Sequence, residues 1–499
     1  MSLSSSWNRP LTSVQLWLLL SAALALHIVP LLMADMPFMD DFERQHLARN
    51  DWVELGRPLA SVLLAALSFG PWAVNIYPLP MLLAVLVAAH ALGCLVRQWF
   101  AVPTLSSVLV VLPLWYQPYF LQNLSYHYDS ASMVLSMVLS LWAITLWNGR
   151  FSHWFWGVLL VAAVAALYQP GVNVFAGLCA IEVMRLVMNG QALPVVCRYA
   201  VARLGQLLLG CMIYYFSCTW MIRPGRLGLL AIDGQWLSEV ARRSRETTDV
   251  VGLLITPWVG WILLGLALLA GYALVRAILQ VWRRPFGWGQ RLGLVFALIL
   301  PLPVVALCVS GIILFLVNFD TNSRLLMGLG VLLALLFYLV HGALAGSPRT
   351  RVVILTIPLL FMLSFSFAYG RILVLQKTLQ QAITQSLAHD LSTGPELATA
   401  KHYYLLGFWL ERLWIPAARE TIRLMPALEK VDPYKFLLLP EMLPRMGVDD
   451  FHAFHESPPL GRRQVLMLSP TPLVVGRFYD IHLVGDAAYV LFKNPEADK

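Results

Sequence analysis

Apolar residues run along most of this chain in long unbroken blocks separated by short polar links. A hydrocarbon core about 30 Å thick takes around 20 apolar residues per helix. About eleven blocks qualify, near 12–33, 78–96, 102–120, 129–147, 153–169, 172–189, 202–222, 253–279, 292–317, 324–344 and 352–374. The pattern predicts a polytopic α-helical membrane protein with about 11 transmembrane helices. One block fails the length test: PLASVLLAALSFG, residues 58–70. Counted as a crossing it would invert every later loop, so 38–70 is expected to form amphipathic helices along the outer face. The first block is long enough to span and lacks a small-x-small exit. It reads as an anchor rather than a cleaved leader.

The pattern changes near Lys377, the first lysine of the chain, beyond which Lys, Glu, Asp, His and Pro become common. We therefore expect a membrane domain over 1–376 and a small extracytoplasmic α/β domain over 377–499. In the latter, LQKTLQQAITQSLAHDLS has helical periodicity, and RFYDIHLVGDAAYVLFK reads as two strands joined at Gly485-Asp486. No internal repeat is visible, so an inverted-repeat transporter gains no support.

Composition sharpens this picture. Of 499 residues, 59% are hydrophobic and 12% charged, against about 25% charged in soluble domains; mean hydropathy is +0.70. The net charge of +8 does not mark a nucleic-acid surface, because the basic residues are scattered over short loops. With the N-terminus cytoplasmic, Arg9, Arg97, Arg150, Arg185, Arg198, Arg203, Arg276, Arg283, Arg284, Arg291, Arg349 and Arg351 fall inside, with Glu182 almost the sole acid beside them. That is the positive-inside pattern. The same threading puts 34–56, 121–130, 168–173, 223–249 and 318–324 outside. The six cysteines lie in or beside apolar blocks without a C-x-x-C pair, which suggests neither a metal site nor a disulfide framework.

The outer segments carry the candidate chemistry. Asp40 and Asp41 follow the first span. A carboxylate at a membrane surface can act as general base toward a sugar hydroxyl; alternatively Asp40 and Glu43 make a capping box. Neighbours on a helix diverge by about 100°, so the pair should divide its roles. Arg44, Arg57 and Arg324 can grip a lipid-linked phosphate bidentately, or they can pair with acids and snorkel. Asn123, Tyr126, His127, Tyr128 and Asp129 offer stacking faces and hydrogen bonds for a pyranose, though aromatic belts need no ligand. Tyr168, Gln169 and Asn173 flank a Pro-Gly turn. Asp320 is a further outer carboxylate. There is no P-loop, no G-x-G-x-x-G after a strand, no H-E-x-x-H and no compelling metal-ligand set, so soluble-nucleotide chemistry is disfavoured.

Taken in order, D-D-x-x-R from Asp40, G-R-P-L from Gly56, Y-P-L-P-M-L from Tyr77, N-L-S-Y-x-Y-D-S from Asn123, L-Y-Q-x-x-x-N from Leu167, R-L-L-M-G from Arg324 and Y-D-I-H-L-V-G-D from Tyr479 resemble the bacterial glucosyl transferase II membrane family. That family includes the serotype-converting O-antigen glucosyltransferases, and the resemblance runs from about residue 35 to 492. It implies a C-type glycosyltransferase in the bacterial inner membrane with its C-terminal domain in the periplasm. The implied donor is a polyprenyl-phosphate sugar, typically undecaprenyl-phosphate glucose, and the implied acceptor an envelope glycan such as the O-antigen. By carry-over, Asp40 and Asp41 match the family's acidic motif. Arg44, Arg57, Asn123, Tyr126, Asp129, Gln169, Asn173 and Arg324 match its other polar positions. His127 and Tyr128 stand where relatives often carry a basic residue and another aromatic. No cofactor or metal is required, since arginine can supply the positive charge. Rival readings are the same chemistry on pilin or another glycan, transfer of a pentose, a lipid-linked sugar flippase, and a scaffold. A flippase would bury ionisable groups at mid-membrane, and the centres of the blocks are nearly free of them.

Overall fold

A computed structural model of the chain describes residues 7–146, 149–223, 228–410, 413–432, 437–438, 440–448 and 458–495. Residues 224–227 of the predicted outer segment 223–249 lie outside the described residues. Ser13–Ala34 (α1) opens on a capping box in which the Thr12 hydroxyl accepts from the Gln15 amide and the Gln15 side chain from the Thr12 amide. Then come Asp41–Leu47 (α2), Pro58–Leu67 (α3), Leu79–Trp99 (α4), Leu105–Val111 (α5), Pro113–Tyr116 (α6), Phe120–Ser125 (α7), Ser130–Thr145 (α8) and Phe151–Leu167 (α9). They are followed by Gly171–Met188 (α10), Leu193–Cys218 (α11), Trp236–Gly252 (α12), Pro257–Trp282 (α13), Trp288–Ile299 (α14), Pro301–Leu307 (α15), Gly328–Ala343 (α16) and Pro348–Thr393 (α17).

Seven helical stretches among the described residues are long and apolar enough to cross a membrane: α1, α4, α10, α11 with its following turn, α13, α14 with α15, and α17. The other four predicted blocks form shorter apolar helices, 105–116, 130–145, 151–167 and 328–343. Of these, α8 is nearly all buried. Its serines supply interhelical hydrogen bonds: Ser136 Oγ donates to Tyr168 O (2.9 Å) and Ser140 Oγ to Gly171 O (3.0 Å). Small polar residues let membrane helices approach closely, and here they fix the turn between α9 and α10. Similarly, a Cβ on Gly370 of α17 would lie 2.3 Å from Pro30 Cβ of α1; only glycine allows that crossing.

The stretch 38–70 forms α2, a 3₁₀ turn at Trp52–Leu55 and α3, following α1 in the chain. α12 is a separate amphipathic helix that begins within 223–249 and runs to Gly252, tied to the 314–316 turn by Arg243 Nη1, which donates to Leu314 O (3.0 Å).

α17 runs unbroken through residue 377 and at 1.5 Å per residue is roughly 69 Å long, about twice a bilayer core. Its second half, rather than a linker, carries the C-terminal domain. Lys377 marks where it leaves the apolar zone: Nζ donates to Asp35 O (2.6 Å) and Ala34 O (3.2 Å), satisfying carbonyls at the C-terminus of α1.

Beyond α17 lie His402–Leu406 (β1), the short helices Arg419–Leu424 (α18), Leu428–Val431 (α19) and Arg462–Leu468 (α20), and strands Val474–Val475 (β2), Tyr479–Val484 (β3) and Ala487–Phe492 (β4). The sheet order is β1-β4-β3-β2, with β1 parallel to β4 and the rest antiparallel. The predicted hairpin forms: Val484 pairs with Ala487 around Gly485, whose φ is 65°. The alternation in β4 separates two cores rather than core from solvent. Ala488, Val490 and Phe492 join the main core, while Ala487, Tyr489 and Leu491 pack on Val465 of α20.

Candidate functional site

The outer segments of the sequence threading converge at one end of the bundle. The chain leaves α1 through its αL C-cap, Asp35 (φ 43°), and turns again at Met39 (φ 48°) just before α2, a conformation costly for a residue with a side chain. That turn sends the two aspartates apart. Asp41 is fully buried; its Oδ2 accepts from Phe38 N (3.0 Å) and His127 N (2.7 Å), and its Oδ1 from Tyr128 N (3.3 Å). It staples the first outer segment to the 126–129 loop. Burial pushes its carboxyl up to about 7, against the opposing pull of the His127 and Phe38 amides. The Asp40 side chain is 56% exposed, 3.6 Å from Arg44 Nη1. The capping box expected of Asp40 and Glu43 does not form: Asp40 makes no side-chain cap, and Glu43 pairs with Arg49 at 2.8 Å.

Asp129 is the buried hub beneath this surface. Its Oδ1 accepts from Trp52 Nε1 (2.8 Å) and Arg57 Nη1 (3.1 Å), and its Oδ2 from Arg44 Nη1 (3.3 Å). Arg44 also reaches Asp51 at 3.3 Å and lies over Trp52, 4.3 Å from the ring centre. Arg57 lies over Tyr168 at 4.6 Å and donates through Nε to Gln169 Oε1 (3.4 Å). Gln169 Nε2 in turn donates to Leu55 O (3.1 Å) and Tyr214 Oη (3.0 Å). Gly56, at φ 73°, makes the turn that brings Arg57 in; a Cβ there would sit 2.6 Å from Ile222 Cδ1. Both guanidiniums are thus committed to neutralising acids. Asp129→Ala should leave Arg57 without a carboxylate partner and Arg44 with Asp51 and Asp40 alone, in a largely buried setting, and cost about 3–5 kcal/mol. A detergent melting curve reads this, and a variant as stable as the parent would refute the hub.

Arg324 is different. Its 3₁₀ turn, Ser323–Leu325, is held by the backbone: the Arg324 amide donates to Gln122 Oε1 (2.6 Å), and Arg324 O accepts from Asn123 Nδ2 (3.0 Å) and Tyr168 Oη (3.0 Å). The guanidinium donates to Tyr126 Oη (2.5 Å), and among the described residues no carboxylate lies within ion-pair distance. Tyr126 Oη also meets Met39 Sδ at 3.5 Å, and Asp40 acts electrostatically on both Tyr126 and Arg324. An exposed carboxylate thus lies near enough to act electrostatically on a guanidinium that has no acid partner among the described residues.

Asn123 and Tyr126 thus position Arg324, and Gln169 positions Arg57. Asn173 stands apart, its Nδ2 donating to Ser310 O (3.2 Å). His127 stacks on Tyr77 with ring centres 3.8 Å apart, and burial pushes its imidazole down to about 4, leaving it neutral. Asp320 Oδ1 accepts from the Asn322 amide (3.0 Å) within its own turn. Sequence reasoning missed Asp51, Trp52 and Gln122. The first two sit in a loop without periodicity, and the Asp-Trp pair beside an acidic stretch was the available signal.

The C-terminal domain closes over the same end. Ser323 Oγ donates to Lys430 O, and the Arg445 guanidinium lies 5.3 Å from the Phe42 ring centre of α2.

Comparison with known proteins fits this arrangement. A relative encoded by Salmonella phage P22, described as an uncharacterized 55.3 kDa protein in the gtrB 5' region, is 25% identical over 198 residues, 40% of this chain and 40% of the relative. No solved structure matches. The family profile described as glucosyl transferase GtrII matches residues 29–388, from the end of α1 through most of α17 and every candidate site residue. This multi-pass membrane protein belongs to the glucosyl transferase GtrII family of glycosyltransferases.

Proposed function

We propose that the chain moves glucose from a polyprenyl-phosphate donor to an envelope glycan such as the O-antigen, on the outer face of the bacterial inner membrane. The observation that carries this reading is the exposed Asp40 carboxylate acting electrostatically on Arg324, whose guanidinium has no acid partner among the described residues. Asp40 takes the proton of an acceptor hydroxyl as its oxygen attacks the anomeric carbon. The bond to the lipid phosphate breaks on the opposite face, and the configuration inverts. Arg324 holds the phosphate oxygens as charge develops on them, a task favoured at a site shielded from water. Arg44 and Arg57, neutralised by Asp129 and Asp51, form the platform beneath and set the field around Asp40. We read the four shorter apolar helices as crossings too, which with a cytoplasmic N-terminus makes eleven spans and an extracytoplasmic C-terminal domain; a reporter fused to the C-terminus should give an extracytoplasmic signal.

The direct test is transfer by the purified protein in lipid nanodiscs, with undecaprenyl-phosphate glucose and lipopolysaccharide from cells lacking this protein. Expected products are glucosylated polysaccharide, with the anomeric configuration opposite to the donor's by NMR, and undecaprenyl phosphate. Passage of intact donor between leaflets without transfer would instead make the protein a flippase.

A further inference from the structure

A second polar cleft opens beside this surface. It has a volume of about 590 Å³ and is lined by residues 49–51, Val53, Glu54, Pro71, Trp72 and Arg223. That volume falls within the roughly 300–1,000 Å³ of small-ligand sites.

Trp72 is 64% exposed, yet the chain on both sides of it is fixed. Asn50 Nδ2 donates to Pro71 O (3.1 Å) and Ser61 O (3.2 Å), and the Ala73 amide donates to Ala48 O (3.1 Å). Ala73 itself is fully buried. With its backbone fixed on both sides, the indole is presented from a set position, which reduces the ordering cost of binding.

The charges around the cleft are balanced in pairs. Arg49 pairs with Glu43 at 2.8 Å, Arg223 with Glu54, and Asp51 with Arg44 at 3.3 Å. Such a rim suits an uncharged ligand rich in hydroxyls, whereas a phosphate would have to displace one of these acids. Paired arginines and carboxylates still present hydrogen-bonding edges. Asp51 accepts from Arg44 through Oδ1, and its Oδ2 carries no hydrogen bond among the described residues.

The cleft also adjoins the reacting surface. The Arg44 guanidinium bridges Asp51, in the cleft wall, and Asp40, through Nη2 and Nη1 respectively. A glycan whose reacting unit sits over Asp40 would carry its neighbouring ring toward Trp72.

We propose that this cleft is an acceptor subsite. A pyranose unit adjacent to the one being glucosylated stacks on Trp72, with its hydroxyls held by Asp51, Glu54 and Arg223. This rests on the proposed glycan-directed transfer.

The test uses the full-length protein in nanodiscs, undecaprenyl-phosphate glucose, and two acceptor probes prepared from cells lacking this protein: O-polysaccharide released by mild acid, and its single-repeat fragments. Trp72→Ala should raise KM for the polysaccharide about tenfold or more, as truncation of a buried aromatic anchor does. Donor affinity should be unchanged, and Trp72→Phe should recover part of the loss. Arg223→Ala should shift the same parameter in the same direction.

An unchanged acceptor KM in Trp72→Ala and Arg223→Ala, with the parent active, overturns the subsite and leaves the transferase reading intact. A parallel fall in donor and acceptor affinity in a folded Trp72→Ala marks the indole as a bilayer anchor and also overturns it. A parent that fails to glucosylate either probe overturns the underlying reading, and the subsite with it.

Discussion

Asp40→Asn should leave a folded protein that binds donor and turns over about 10²- to 10⁴-fold more slowly, the usual loss on removing a general base. The exposed Asp40 side chain makes no cap for α2, and its one ionic contact is at 3.6 Å from Arg44. A contact of that length at a surface contributes little to stability. The substitution keeps the shape and removes the basicity, so the effect should appear in kcat with the melting temperature nearly unchanged. Turnover near the parent's would sink Asp40 as the base.

The neighbouring Asp41→Asn should behave in the opposite way. An asparagine has one accepting oxygen where three backbone amides now converge. At least one buried N–H loses its partner, at a cost of about 1–3 kcal/mol. The Asp41 carboxyl is raised to about 7 chiefly by burial, and a base poised near neutrality is attractive on that ground alone. Geometry must be satisfied first, and a carboxylate whose oxygens are both held by amides in the interior offers no route to an acceptor hydroxyl. The raised pKa has its own consequence. The folded chain keeps a proton that the unfolded chain, with an ordinary aspartate near 3.9, has released. The resulting stabilisation is present below about pH 4 and is lost as pH rises toward 7. Melting curves across that range should fall with pH in the parent and fall less steeply in Asp41→Asn. Identical slopes would show that Asp41 does not titrate there.

The contrast between these neighbours shows where sequence reasoning reached its limit. The run of apolar blocks located the helices, including the short α3 within the block 58–70. Lys377 marked a real change in environment, but periodicity says nothing about whether a helix ends where composition changes, and α17 continues through it. Which aspartate faces outward depends on the αL turn at Met39 and on amides of His127 and Tyr128, more than 80 positions along the chain. Likewise, the three arginines look alike in sequence. Their difference is tertiary: Asp129 takes up Arg44 and Arg57, and a tyrosine hydroxyl meets Arg324. Partners of that kind leave no periodic trace.

That difference sets the last expectation. Arg324→Ala should lower kcat by about 10²- to 10³-fold, the scale seen when one donor to a developing oxyanion is removed, and should weaken donor binding as well. Arg324→Lys should restore part of the charge term but not the planar fork, so rescue should be incomplete. Arg44→Ala and Arg57→Ala should differ in kind. Each leaves Asp129, 3% exposed, short of a counter-ion, so their first effect should be on melting temperature, with activity falling as the platform loosens. Donor binding measured by tryptophan fluorescence in nanodiscs, alongside melting curves for all four variants, separates the two behaviours. If Arg324→Ala binds donor as the parent does while Arg44→Ala or Arg57→Ala loses donor without losing stability, the phosphate lies over the Asp129 platform. The guanidinium beside Tyr126 would then be structural.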